Sequence, residues 1–283
     1  MLPCILIRSL SGGSGLVSKL WPIVIAVRGI WEHRQVLRVL VRRDLQKQYT
    51  TFRLGYLWSL LEPLGMAMVL WFVFSVLLGA RDLGLNPYLM FIILGVLPWW
   101  WFTSGIRAST KALTRNSSEI ITSVLPSHIW VLRVMLTSGV EFVFSLPILV
   151  LAMLITGAWP GPWIVLYPVA ILVQFIAMYG LGLILAPAVA LMPDLGRTIR
   201  IILRAMFYFT PILYTLGRIP ESVQTIAAIN PMVGILGLYR TAWWPGEVIS
   251  LQALAISLVT IAVIFIIGVV TFKRLEPRYL KEL

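Results

Sequence analysis

Tyr88-Leu-Met-Phe-Ile-Ile-Leu-Gly-Val-Leu-Pro-Trp-Trp-Trp-Phe-Thr-Ser-Gly-Ile106 carries no charge from end to end, and Arg107 follows it at once. A hydrocarbon core about 30 Å thick is crossed by roughly 20 residues of α-helix, so this stretch reads as a transmembrane helix. Similar stretches lie near Leu64–Ala80, Val134–Thr156, Ile164–Met192, Ile201–Leu216 and Ile249–Phe272, the first and fourth of these being short. Apolar residues fill 59% of the 283 positions and charged residues only 12%. A soluble domain carries about 25% charged residues to wet its surface, so most of this surface must meet membrane lipids. The expected fold class is an all-α integral membrane protein with six transmembrane helices.

The formal net charge of +12 is an orientation signal before it is a sign of nucleic acid, because Lys and Arg collect in cytoplasmic loops. Of the 23 basic residues, all but Arg81, Arg218 and Arg240 fall before the first stretch, in alternate connections, or in the C-terminal tail. That imbalance predicts both termini inside, and no nucleic-acid partner is expected. Cys4 is the sole cysteine and His33 and His128 lie far apart, so no metal-ligand spacing is visible. Residues 1–30 lack the apolar core and cleavage site of a signal peptide and read as a cytoplasmic tail.

Three segments are neither span nor plain loop. Residues 31–62 place Val36, Leu37, Leu40, Val41 and Leu45 at helical spacing, with Arg34, Arg38, Arg42 and Lys47 mostly elsewhere around the helix. This pattern predicts an amphipathic helix at the membrane surface, with Glu62-Pro63 turning the chain into the transmembrane domain, 63–283. The connection Arg107–Arg133 holds Lys111, Arg115, Ser117 and Glu119. Ser117 or Ser118 could cap a short helix through Ile120–Leu125, closed by Pro126. Val223–Ile229 and Met232–Leu238 are apolar, too short to span, and split by Asn230-Pro231, so they read as re-entrant or interfacial.

Catalytic chemistry is sparse. Glu141 is the one acid well inside an expected span, suited either to an ion pair with Arg133 or to a functional role. No second intramembrane acid or histidine accompanies it, which argues against a proton relay or an embedded enzyme. Aromatics are abundant, with 12 Trp, 12 Phe and 9 Tyr, and are densest at Pro98–Phe102 and Phe207–Phe209. Trp71, Phe72, Phe207, Tyr208 and Tyr214 are candidates for a pathway on which sugar rings stack, against the ordinary role of interfacial anchors.

Arg43-Asp44-Leu45-Gln46-Lys47-Gln48-Tyr49, Leu54-Gly55-Tyr56-Leu57-Trp58 and Glu62-Pro63-Leu64 resemble the opening segment of a known family. It comprises the permease subunits of bacterial ABC exporters of lipid-linked polysaccharides: O-antigen, teichoic acid, capsule and mycobacterial galactan. Pro193-Asp194, Thr210-Pro211-Ile212-Leu213-Tyr214, Ile219-Pro220, Asn230-Pro231-Met232 and Tyr239-Arg240 resemble its C-terminal half. Gln48 departs from the basic residue commoner before the tyrosine.

The resemblance implies an ABC-2 type transmembrane domain in the bacterial cytoplasmic membrane, paired as a homodimer with two copies of a separate ATPase that binds ATP and Mg. It implies export of a polyprenyl-diphosphate-linked glycan past a gate helix, with Arg42, Arg43, Lys47, Tyr49 and Arg53 as diphosphate or gate contacts. Lys111, Arg115, Ser117 and Glu119 become ATPase-coupling candidates, and this chain itself is expected to bind no cofactor. Leu10–Gly15 looks like the signature sequence of ABC ATPases, yet the chain has no P-loop, so the match is chance. Two other functions are open: a drug or small-lipid exporter of the same superfamily, and a membrane enzyme of lipid-linked sugar metabolism.

Overall fold

The structure is a computed structural model that describes residues 33–50, 57–79, 85–123, 125–245 and 250–282. The tail 1–30, Arg53 and the Leu54-Gly55-Tyr56 part of the motif lie outside the described residues. The described residues are helical with no strand. In chain order they form α1 (Arg34–Thr50), α2 (Leu57–Trp71), α3 (Tyr88–Ser109), α4 (Ser117–Thr122), α5 (His128–Thr156), α6 (Leu166–Leu191), α7 (Leu195–Phe209), α8 (Glu221–Ala228), α9 (Pro231–Thr241) and α10 (Leu251–Glu282). The last turns of α2 widen into a π-helix, Phe72–Leu77.

Five of these segments are long and apolar enough to cross a membrane: Leu60–Leu77, Tyr88–Ser109, His128–Thr156, Pro162–Leu191 and Leu251–Glu282. α3 is the centre of the bundle, contacting α2, α5, α6, α7 and α9. Of its span 83% is buried inside the bundle, whereas Leu60–Leu77 is only 11% buried. The helices overrun the apolar stretches that announced them. α5 begins at His128 rather than Val134, and α10 runs on to Glu282 instead of ending at Phe272. Hydropathy marks where lipid ends, while the backbone ladder continues through Arg133, Lys273 and Arg274.

Three expectations need correction. Glu62-Pro63 does not open the first span, because α2 starts at Leu57 and carries Pro63 within it. The short helix α4 stops at Thr122, before Leu125, and starts directly from a 3-10 turn, Thr114–Asn116. The fifth span expected at Ile201–Leu216 is not one continuous helix. α7 ends at Phe209 because Thr210 precedes Pro211 and is held extended, at φ −91° and ψ 136°.

The chain nevertheless runs the length of the bundle here. Arg200 and Arg204 share a cavity with Arg107 at the far end of α3. At the other end, the Tyr88 hydroxyl donates to the Leu213 carbonyl at 2.9 Å. Five long helices, α7 with its extended continuation, and the bent pair α8–α9 therefore stand where six helices were expected.

The re-entrant expectation meets that bent pair, broken by 92° at Asn230-Pro231. Asn230 accepts from the Met232 amide at 3.1 Å, satisfying a helix-start donor, while its Nδ2 donates to Thr210 Oγ1 at 2.8 Å. α9 is buried at every residue from Pro231 to Arg240. Its far end is tied to the turns at that end of the bundle: the Gly161 amide donates to the Ala242 carbonyl, Trp243 Nε1 to that of Ala158, and Trp244 Nε1 to that of Asn86. Arg240, one of the three basic residues set apart from the rest by the sequence, is 2% exposed in the interior of α9. Its guanidinium donates to the carbonyls of Pro211 (2.6 Å), Ile212 (2.7 Å) and Phe91 (3.3 Å) and lies over the Phe91 ring.

Candidate transport site

α1 packs along α5 through Leu37 and Val41, which are buried one helical turn apart. Leu40 and Leu45 are half-buried, and Val36 and Arg38 face outward. Leu37 and Val41, two of the five expected stripe residues, thus fix the rotation of α1. That rotation presents Arg43, Asp44, Lys47 and Gln48 to the ends of α3 and α5 and to Arg115 and Glu119 between them.

Here charges from three elements interlock. Arg133 on α5 is almost wholly buried and donates through two nitrogens to the Asp44 carboxylate, with Nε at 2.6 Å from Oδ2. Arg43 Nη2 donates to Glu119 Oε1 at 2.5 Å, and the other oxygen of Glu119 lies 3.6 Å from Arg133. Two-point guanidinium–carboxylate pairing is the strongest arrangement available to such side chains. Glu119, on α4, therefore bridges α1 and a long span. The hydrogen bond from Arg43 is the main cause that holds its carboxyl below the usual glutamate range; partial burial opposes this and the charges of Arg43, Arg133 and Lys47 reinforce it.

A carboxyl depressed in this way contributes its tie above the ordinary glutamate pKa and loses it as pH falls through the lowered value. Arg43→Glu should accelerate amide exchange in Ser117–Thr122 about two- to fivefold, the worth of a half-exposed ion pair. Adding Glu119→Arg should restore protection in part, because the reversed pair re-forms while the new cation also faces Arg133. Exchange in the reversed pair that stays as fast as in the single variant would exclude the tie.

A cavity of about 660 Å³ lies against this network, lined by Arg43, Asp44, Lys47, Gln48, Arg115, Glu119, Arg133 and Glu141 among others. Glu141 does not pair with Arg133, as one of its two readings allowed. Arg133 is taken by Asp44 and Glu119, and Glu141 faces the cavity with Gln48 in hydrogen-bonding reach. Of the gate candidates, Arg43 and Lys47 line the cavity and Arg42 is exposed outside it. Tyr49 belongs to α1, but its side chain, like all of Arg53, is outside the described residues. Of the coupling candidates, Arg115 and Glu119 line the cavity, Lys111 is exposed outside it, and Ser117 is the first residue of α4.

A second cavity of about 340 Å³ opens between α3 and α7. Trp99, Trp100, Phe207 and Tyr208 line one part of it, and Arg107, Arg200 and Arg204 another. The aromatic candidates therefore divide. Phe207 stands edge-on to Trp99 at 5.9 Å and to Tyr208 at 5.3 Å, and Tyr214 supports them by donating to the Tyr208 carbonyl at 3.0 Å. Trp71 is half-buried against the core and Phe72 is half-exposed, and neither lines this cavity. Sequence reasoning missed Asp44 and Arg133 as partners, and Arg107, Arg200 and Arg204 as a group. The arginines stand one or two helical turns from dense aromatic runs on two different helices, a signal that was present in the spacing.

Comparison with known proteins gives this arrangement a context. Residues 35–243 match the family described as ABC-2 type transporter. The O-antigen export system permease protein RfbA of Klebsiella pneumoniae is 28% identical over 86% of this chain and 93% of its own length. RfbA of Myxococcus xanthus is 31% identical over 77% of this chain and 84% of its own length. The polysialic acid transport protein KpsM of Escherichia coli is 25% identical over 89% of this chain and 98% of its own. The matched region takes in α1 to α9 and both cavities, and on this ground the chain belongs to the ABC-2 type transporter family.

Proposed function

We propose that this chain is the membrane-spanning subunit of an ATP-driven exporter that carries a polyprenyl-diphosphate-linked polysaccharide outward across the bacterial cytoplasmic membrane. It works as a homodimer with two copies of a separate ATPase, which holds ATP and Mg. Both termini lie inside, in keeping with the basic residues gathered at one end of the bundle. Relatives named as O-antigen and polysialic acid permeases support the cargo class.

The observation that carries the mechanism is the bridge made by Glu119 between Arg43 and Arg133. A push on the short helix α4 by a cytoplasmic ATPase reaches α1 through that bridge. α1 then acts as the gate, and Lys47 with Arg115 and Arg43 presents cations to a diphosphate at the cavity it covers. Arg42, Tyr49 and Arg53 continue the same surface as secondary contacts, with Lys111 and Ser117 on the ATPase side.

The test is ATP hydrolysis by the complete permease–ATPase complex in lipid nanodiscs. Polyprenyl-diphosphate glycan from the native membrane should stimulate turnover several-fold. Arg43→Ala with Lys47→Ala should abolish that stimulation without loss of assembly. Stimulation by a detergent-like drug or a short phospholipid, with none by the glycan lipid, would assign the chain to small-molecule export and reject this cargo.

A further inference from the structure

We infer that the cavity between α3 and α7 is a second station for the glycosyl-diphosphate end of the cargo, with its cationic and aromatic halves set apart for phosphate and sugar. The inference rests on the cargo reading above and concerns a different set of residues from the gate.

Two antiparallel helices build the cavity with the same chemical order. α3 descends toward the basic end through Trp99, Trp100, Thr103 and then Arg107; α7 rises from that end through Arg200, Arg204 and then Phe207, Tyr208. Because the helices run in opposite directions, their arginines meet at one level and their aromatics meet at another.

The arginines are also available. Among the described residues no carboxylate pairs with Arg107, Arg200 or Arg204, in contrast to Arg43 and Arg133. Arg107 bonds within its own helix, its Nε to the Thr103 carbonyl at 3.1 Å and its Nη2 to the Thr103 hydroxyl at 3.4 Å. That holds the guanidinium at the cavity and leaves donors over. Arg200 and Arg204, one turn apart on α7, are exposed on either side of the buried Leu203, which anchors the helix to the bundle. Three forked cations around a small space suit the oxygens of a diphosphate ester.

The aromatic half suits the sugar that follows. Trp99 is buried and braced by Phe102 and Phe207, so it forms a wall, and Tyr208 is 73% exposed and offers a free ring face. Polarised sugar C–H groups pack on such faces without fixing one sugar identity. The volume of about 340 Å³ falls at the lower end of ligand-sized pockets and admits a diphosphate with one ring. A lipid tail would leave through the side of the cavity toward the exposed face of α7, where Ile201 and Ile202 are both exposed.

The experiment is equilibrium binding to the full-length protein in nanodiscs, with polyprenyl diphosphate bearing one N-acetylglucosamine as probe, alongside bare polyprenyl diphosphate and inorganic pyrophosphate. Arg200→Ala with Arg204→Ala should weaken both lipid probes by about tenfold or more, because charge-assisted bonds are lost. The exposed side chains make this a safe change for folding, and Arg200→Gln with Arg204→Gln repeats it with polar stems kept. Tyr208→Ala should remove the preference for the sugar-bearing lipid and spare the bare one.

Binding by the Arg200/Arg204 variants as tight as in the wild type, lost only in Arg43→Ala with Lys47→Ala, would overturn the second station and leave the cargo reading standing. Failure of the wild-type protein to bind either lipid would overturn both. Equal binding of the sugar-bearing and bare lipids by the wild-type protein would overturn the aromatic half, and tighter binding of the sugar-bearing lipid supports it.

Discussion

Replacing Arg240 with methionine is expected to destabilise the protein by about 3 kcal/mol or more, since each buried carbonyl left without a donor costs about 1–3 kcal/mol and such costs combine incompletely. Methionine fills much of the volume and provides no donor. The carbonyls of Pro211 and Ile212 would then face an apolar interior with nothing to replace the guanidinium, while that of Phe91 keeps its acceptor role within α3. Those bonds join three elements: α9, the extended segment after α7, and α3. Their loss should free the Thr210–Tyr214 segment first. Arg240→Lys should be intermediate, because an ammonium has three donors on a single nitrogen and cannot match the spread of a guanidinium. Thermal unfolding of purified variants, with amide exchange resolved to Ile212–Tyr214, checks both. An unchanged melting temperature for Arg240→Met would show that water or backbone relaxation satisfies these carbonyls.

Gly268→Leu should prevent stable assembly altogether. A β-carbon built at Gly268 would sit 2.4 Å from the Gly180 carbonyl oxygen, close to 1 Å inside an ordinary C···O contact of about 3.3 Å. The obstacle is backbone, which cannot rotate away. Gly180 faces the same crossing, where a β-carbon would meet the Phe265 backbone at 2.8 Å. α6 and α10 form the most extensive helix pair in the molecule, and small residues at their crossing are what allow that approach. Gly268→Ala is expected to cost roughly 1–3 kcal/mol as an overpacked contact. The leucine variant should be degraded or recovered as aggregate. Its recovery in wild-type yield as a monodisperse protein would mean that α6 and α10 separate easily.

Most of the long helices were legible because lipid imposes one simple requirement, an unbroken apolar length. Tyr88–Ile106, Val134–Thr156 and Ile164–Met192 therefore fall within or close to α3, α5 and α6. The same rule failed for Ile201–Leu216. There the apolar window continued past Thr210-Pro211, but the proline ended the helix and the carbonyls that it freed found Arg240, distant in sequence. The Asn230-Pro231 break was readable for the converse reason, since a polar cap and a proline at a helix start signal themselves locally. The charged cluster was only half legible. Arg43 and Glu119 were each singled out, for separate duties, while their direct bond depends on how α1 rotates against α5. For Glu141, its nearest basic neighbour along the helix was not its partner, because Arg133 is committed to Asp44 by geometry between helices.

The burial of α3 bears on how the protein is made. Of the five long spans it is the least apolar and the most enclosed, while α10 is the most apolar and mostly uncovered. A segment that leaves the translocon is held by the bilayer according to its own hydrophobicity. α3 is synthesised second among the long spans, yet the helices that enclose it, α5, α6 and α9, come later. During synthesis it must wait in lipid with aromatic and hydroxyl groups still uncovered. A ribosome stalled after α3 would thus leave a weakly retained intermediate, and one stalled after α6 would leave a far more secure one.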